Sequence, residues 1–275
     1  MRKKIISATL AVLLSLCMIF SATGCGGGER MNKIRERGEL RVGIKSDVQK
    51  FGFYNMESKE FEGVELDIAR EICKALLGDA SAIKFATVTS DSRKSRLNNE
   101  TLDLVIATFT ITDERKEAFE FSRPYYVDEL GFLVRDGSRI ESIADMDGKI
   151  IGAIESSTAF LAVSVGGEIY KKADFLEVKG YRNYPNIKAA LIAGDIDIFV
   201  GDKSILLGYD DENTILLDEG YIPQPYGIAA KKGETALAKF VDNHLGKMEQ
   251  DGTLAELYEK HGLYYDDFIA KRELL

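Results

Sequence analysis

The sequence predicts an α/β protein built as two lobes, on three observations. Short apolar strand signals alternate with helical periodicity through most of the chain, which implies parallel sheets covered by helices. The alternation runs in two series, the first closed by Pro124 and the second by I-P-Q-P-Y (222–226). A chain that crosses twice between lobes leaves the first lobe discontinuous in sequence. Roughly 250 residues beyond an N-terminal leader are enough for two such units.

The leader comes first. M-R-K-K supplies positive charge, Ile5 to Phe20 is mostly apolar, and S-A-T-G-C follows. This is the pattern of a secretory signal, too short and wrongly flanked for a stable membrane span. Small residues ending at a cysteine look like a bacterial lipoprotein signal over residues 1–24, with Cys25 acylated as the mature N-terminus. Ala22 stands where such signals usually carry Leu, so cleavage elsewhere or a simple membrane anchor stays open. Gly26, Gly27 and Gly28 fall in a flexible tether over 25–30.

The first series reads strand 39–45, helix 65–77 stopping at Gly78, strand 82–88, a short helix 91–99 and strand 102–107. The second reads strand 149–154, helix 158–172, strand 174–178, helix 184–193, strand 197–200 and helix 203–209. Y-G-I-A-A-K-K (226–232) and two helices over 234–261 close the chain. In open sheets of this kind, sites lie beyond the carboxyl ends of the strands, at the loops into helix N-termini. T-F-T-I-T-D-E-R (108–115) occupies such a place after L-D-L-V-I-A, and E-S-S-T (155–158) another after K-I-I-G-A-I. Two helix N-termini facing one cleft make a good anion site.

Charge and cysteine content narrow the functions. Loss of residues 1–24 removes Arg2, Lys3 and Lys4 and takes the formal charge from −9 to −12. Such a surface does not invite nucleic acid, and no basic tract suggests otherwise. With Cys17 in the leader and Cys25 at its end, only Cys73 remains, so there is no disulfide framework. His244 and His261 are the only histidines, which argues against a histidine-based metal site.

The opening of the helix after Thr112 is unusual. Thr112 suits the N-cap, and Asp113 and Glu114 suit the first turn. The third helical position normally favours Glu or Gln, completing a capping box, yet it holds Arg115. A cation there opposes the helix dipole by about 0.3–1 kcal/mol. Either Arg115 pairs with Glu114, Glu117 or another surface acid, or it awaits an anion.

T-I-T-D-E-R, F-S-R-P-Y-Y (121–126) and D-K-S-I-L-L-G-Y (202–209), in this order and spacing, resemble the extracellular solute-binding proteins that serve ABC importers for polar amino acids. The resemblance spans about residues 32–263. It is strongest to the aspartate- and glutamate-binding group, through R-V-G-I-K-S-D-V (41–48), A-T-F-T-I-T-D-E-R (107–115) and Y-P-N-I-K-A-A-L (184–191). It implies the type II periplasmic-binding-protein fold, two α/β lobes joined by two hinge strands. On that pattern, lobe 1 is 31–126 with 227–275, lobe 2 is 131–221, and 127–130 with 222–226 form the hinge.

The resemblance also assigns roles. Arg115 would take the ligand α-carboxylate as a bidentate fork, helped by backbone N–H groups near Thr110 and Thr158. Asp202 would take the ammonium, its alternative being a helix N-cap. Lys45 and Arg93 would face the ligand side chain, and two cations there suit a second carboxylate. Their alternatives are Lys45 beside Asp47, and Arg93 paired with Asp91 or Glu100. Phe53 and Tyr184 are plausible pocket walls, or simply core; Tyr125 and Tyr126 suit hinge packing. Lys50, Arg123 and Glu155 depart from the family pattern, and Glu155 is placed to pair with Lys45 or Arg93.

The implied function is capture of aspartate or glutamate by hinge closure, without cofactor, by a monomer anchored outside the cell membrane at Cys25 and docking on a permease. Binding of another polar amino acid, cysteine or glutamine for example, is the alternative. Relatives of the fold that dehydrate cyclic carboxylates raise a second class, with Glu155 as proton donor. No nucleophile–base pair is evident for it, and G-D-K-S (201–204) lacks the glycines of a phosphate loop. An adhesin role carried by the outer face is a third class that the sequence neither supports nor excludes.

Overall fold

The computed structural model describes residues 28–273 and 275; the leader and Cys25 lie outside the described residues. Helix α1 (Glu29–Arg37) starts inside the stretch expected as a tether, ending at Gly38 in the left-handed region (φ +68°). The reason is Arg30, buried with its guanidinium 2.7 Å from Glu100 and 2.9 Å from Asp103.

Strand β1 (Leu40–Ile44) follows, then a small antiparallel sheet of β2 (Asp47–Val48), β3 (Gly52–Asn55) and β4 (Glu60–Glu62) that the sequence reading missed. Helix α2 (Val64–Leu77) buries Leu66, Ile68, Ala69, Ile72, Cys73 and Leu76 and stops at Gly78 (φ +82°). Next come β5 (Ile83–Thr87), α3 (Ser92–Asn98), β6 (Leu104–Val105), α4 (Asp113–Ala118) and β7 (Phe119–Phe121).

The chain then crosses on β8 (Tyr126–Arg135) and runs through β9 (Ile150–Ile154), α5 (Thr158–Val163), β10 (Glu177–Tyr181), α6 (Tyr184–Ala193), β11 (Ile198–Asp202), α7 (Lys203–Leu207) and β12 (Thr214–Leu216). It returns on β13 (Tyr221–Tyr226) and ends with β14 (Ala229–Lys231), α8 (Thr235–Gln250), α9 (Thr253–Lys260) and α10 (Tyr265–Arg272).

The first lobe holds the sheet β5-β1-β6-β14-β7, in which β14 arrives from the end of the chain and pairs antiparallel with β6. The second holds β10-β9-β11-β8-β12, with β13 also paired to β8. β9 is parallel to β10 and β11, so the loops after β9 and β11 emerge on one side. The predicted two-lobed fold is therefore the one observed.

Two element expectations are corrected. The helix expected over 158–172 ends at Val163, because Ser164 turns its hydroxyl back onto the Phe160 carbonyl (2.6 Å) and Gly166 (φ +82°) and Gly167 follow. The strand expected at 174–178 lies at Glu177–Tyr181, where it registers with β9, while Phe175 is buried ahead of it in the second-lobe core. The two expected hinge strands are present as β8 and β13, paired in a ladder although β13 carries Pro223 and Pro225, which cannot donate to one.

Candidate functional site

The six positions singled out from the sequence line one cavity between the lobes. Lys45, Arg93, Thr110 and Arg115 come from the first lobe, and Thr158 and Asp202 from the second. Lys45 follows β1, Thr158 opens α5 after β9, and Asp202 ends β11. Strand ends thus bring together residues up to 157 positions apart in the chain.

Arg115 sits where the interrupted capping box placed it. The Thr112 hydroxyl caps α4 by accepting from the Arg115 N–H at 3.2 Å. The guanidinium turns back to donate to the Thr110 carbonyl at 2.8 Å, and reaches the Ser156 carbonyl of the second lobe at 3.4 Å. Among the described residues it pairs with neither Glu114 nor Glu117. Burial lowers its pKa to about 10, against the pull of Asp202 and Glu114.

Arg93 is 6% exposed, with its guanidinium 3.6 Å from the Phe109 ring centre. Arg115 lies 4.8 Å from the centre of the same ring. Arg93 makes no ion pair among the described residues, so the expected alternative with Asp91 or Glu100 is not realised. Asp91 instead accepts from the Ser156 hydroxyl across the cleft, and Glu100 is taken by Arg30 and Lys231. Burial, then the charge of Arg115, holds Arg93 well below the usual arginine range. Lys45 is also 6% exposed, but its ammonium rests 3.0 Å from Asp47 and 5.2 Å from the Tyr184 ring centre. Lys45 thus lines the cavity and is paired there with Asp47, the second of its two readings.

Asp202 faces these cations from the other lobe. It precedes α7 without capping it. Its carboxyl group instead shares a hydrogen bond with the buried Tyr226 hydroxyl. Burial, then the neighbouring Asp128, raises its pKa. A fixed cationic fork and a buried carboxylate therefore oppose each other across one cleft.

Residues 40–264 match the model of the bacterial extracellular solute-binding proteins, family 3. The chain belongs to this family. It is similar to the ABC transporter glutamine-binding protein of Bacillus subtilis, 35% identical over 94% of this chain and 97% of that protein. It is also similar to the glutamate-binding protein of Corynebacterium glutamicum, 27% identical over 86% of this chain and 83% of that one. The crystal structure of a cysteine-binding protein from Campylobacter jejuni superposes with a TM-score of 0.76 at 26% identity, over 84% of this chain and 92% of that one.

Two residues of this solute-binding protein escaped the sequence reading. Glu65, in the first turn of α2, is fully buried; one carboxylate oxygen accepts from the Thr108 N–H (2.6 Å) and the Tyr125 hydroxyl (2.5 Å), and the other has no protein partner among the described residues. Burial pushes it up to about 7, although those hydrogen bonds and the charges of Lys45 and Arg93 pull it down. Thr108 meets it from a left-handed backbone (φ +42°) that a β-branched residue adopts at a cost. The signal was present: Glu65 lies on the same helix face as Ile68 and Ile72, where an acid is out of place. Gln224 of β13 is the other. Its side-chain oxygen accepts from the hydroxyls of Thr110 (2.9 Å) and Thr158 (2.7 Å), one from each lobe.

The departures noted in the sequence fall outside the cavity lining. Lys50 donates to the Gly262 carbonyl at 2.9 Å, Arg123 pairs with Asp242 at 3.1 Å, and Glu155 is exposed against Gly180, unpaired with Lys45 or Arg93. Phe53 belongs to β3 of the small sheet and does not line the cavity; Tyr184 does line it. Tyr126 stacks on Tyr226 between the lobes.

Proposed function

We propose that this protein captures aspartate or glutamate outside the cytoplasm and presents it to the permease of an ABC importer. The observation that carries this reading is the opposition of Arg115 and Asp202 across one cavity, a cation and a carboxylate placed for the two ends of an amino-acid zwitterion. The guanidinium fork matches a carboxylate in geometry and charge, and Asp202 offers the ammonium acceptors.

The side chain decides the ligand. Lys45 is already matched by Asp47, and a zwitterion satisfies Arg115 and Asp202. Among the described residues Arg93 is then the cavity cation left without a carboxylate, and a buried charge left unmatched costs several kcal/mol. A second ligand carboxylate supplies the match. Glutamine is the second reading, favoured by the Bacillus subtilis relative and by Glu65, whose ionised form would itself offset Arg93.

Closure follows from the contacts that cross the cleft, Arg115 to Ser156, Ser156 to Asp91, and Thr110 and Thr158 to Gln224. A ligand that touches both lobes shifts the population toward this closed form by its differential affinity. The dehydratase reading loses its proton donor, since Glu155 is exposed outside the cavity lining. The leader supports lipid anchoring at Cys25, and the Cys25→Ala variant is expected in the soluble fraction. The family expectation of a monomer is retained.

The test uses protein unfolded and refolded to strip carried-over ligand, then thermal stabilisation against all twenty amino acids. Ligand at 100 times its Kd adds about 2.7 kcal/mol. The chain lacks Trp, so an external dye or calorimetry reports the transition. Stabilisation by aspartate and glutamate supports the reading, stabilisation by glutamine alone selects the second, and none by any amino acid overturns both.

A further inference from the structure

Two carboxylates and one phenol meet behind the Asp202 end of the cavity. Asp202 and Asp128 are 7% and 2% exposed, on paired strands β11 and β8. Tyr226 of β13 places its hydroxyl 3.1 Å from Asp128 Oδ2 and in hydrogen-bond contact with Asp202 Oδ2. A phenol has one hydrogen. It donates to one carboxylate, and its contact with the other brings oxygen lone pairs together unless that carboxyl carries a proton.

The surroundings decide which one does. Asp128 has its own donors: the Ser204 N–H at 3.1 Å, the Ser204 hydroxyl and the Glu129 N–H at 2.8 Å. Lys271 and Tyr126 also face it. Asp202 is faced by Tyr226, Asp128 and Tyr184 and by the guanidinium groups of Arg115 and Arg93. It has no hydrogen-bond donor among the described residues except Tyr226. Asp128 is therefore the ionised member, and Asp202 the one that holds the proton.

We propose that Asp128, acting through Tyr226, is a positioning residue that keeps Asp202 protonated in the free protein, so that ligand capture expels one proton. This rests on the reading of Asp202 as the ammonium partner. The ligand arrives as an ammonium ion; the Asp202 O–H bond breaks, the proton leaves to solvent, and the carboxylate takes the ammonium. No electron moves. Burial and the neighbouring Asp128 push Asp202 up to about 7, against the pull of Arg115 and Arg93. Affinity then falls about tenfold per pH unit below neutrality, the limiting slope for one proton released.

The experiment is calorimetric titration of the protein with glutamate between pH 5.5 and 8, in two buffers of different ionisation enthalpy, counting protons released. Wild type is expected to release close to one proton at pH 5.5 and few at pH 8. Asp128→Asn should move that release at least one pH unit lower, and so should Tyr226→Phe, which removes both the acceptor of the Asp202 proton and the link to Asp128. Glu65→Gln keeps the release if the aspartate pair is its source and abolishes it if Glu65 is. Release unchanged in Asp128→Asn, or absent from wild type that binds glutamate, overturns the proposal. Infrared titration of the ligand-free protein separates it from the functional reading: a protonated carboxyl present near pH 7 in wild type and lost in Asp128→Asn supports the shared proton even if no amino acid binds. Its absence refutes it.

Discussion

Replacement of Arg93 by methionine tests the side-chain end of the cavity most directly. Arg93 is buried, lies 3.6 Å over the Phe109 ring, neighbours the like-charged Arg115 and has no ion pair among the described residues. Removing it loses a cation–π contact of about 2 kcal/mol at a desolvated site. It also relieves a desolvation cost of several kcal/mol for an unmatched charge. The ligand-free variant should be more stable by about 1 kcal/mol or more, a Tm rise of about 2–4 °C per kcal/mol at this chain length. Glutamate should instead lose about 2–5 kcal/mol of affinity, the usual loss when one partner of a desolvated charge pair is removed. That is roughly 30-fold to several thousand-fold. Thermal melts without ligand and calorimetry with glutamate and glutamine measure the two effects. Glutamate affinity within threefold of wild type would falsify Arg93 as the side-chain partner, and a large fall in the ligand-free Tm would show that the residue is instead structural.

Three further outcomes are expected. Arg115→Lys keeps the charge but not the fork, so every amino acid ligand should weaken by at least about tenfold; equal affinities in calorimetry would exclude a bidentate role. Gln224→Leu leaves the Thr110 and Thr158 hydroxyls without their shared acceptor, at about 1–3 kcal/mol, and should shift small-angle scattering of the liganded protein toward a more open form; a scattering curve identical to wild type would exclude Gln224 as a link between lobes. Glu65 has a folded pKa raised to about 7 by burial, so the folded state binds the extra proton and stability falls as pH rises from about 4.3 to 7. Glu65→Gln should flatten that part of the stability–pH curve in denaturant titrations, and an unchanged slope would mean that another group titrates there.

Much of the fold was legible because it rests on local rules. The apolar stripe of α2 and the glycine at its end, the N-cap Thr112 with its side-chain bond, and the apolar strands β1, β9 and β11 each follow from short-range sterics and burial. Where two local signals competed the reading slipped. Apolar residues continue beyond Val163, but the Gly166-Gly167 pair stops the helix.

The sequence by itself determined the alternating α/β architecture and set Arg115 at a helix start and Asp202 at a strand end, because helix starts and strand ends are written in neighbouring residues; the family resemblance added their expected place in the cleft. Tertiary structure alone decided how those charges are spent. It joined Lys45 to Asp47, left Arg93 against Phe109, set Glu65 beneath the cleft, and brought Asp128, Tyr226 and Asp202 together from three strands. Such pairings depend on distances across the fold and on burial, which raises the cost of every unmatched charge, and neither quantity is set by neighbours in the chain.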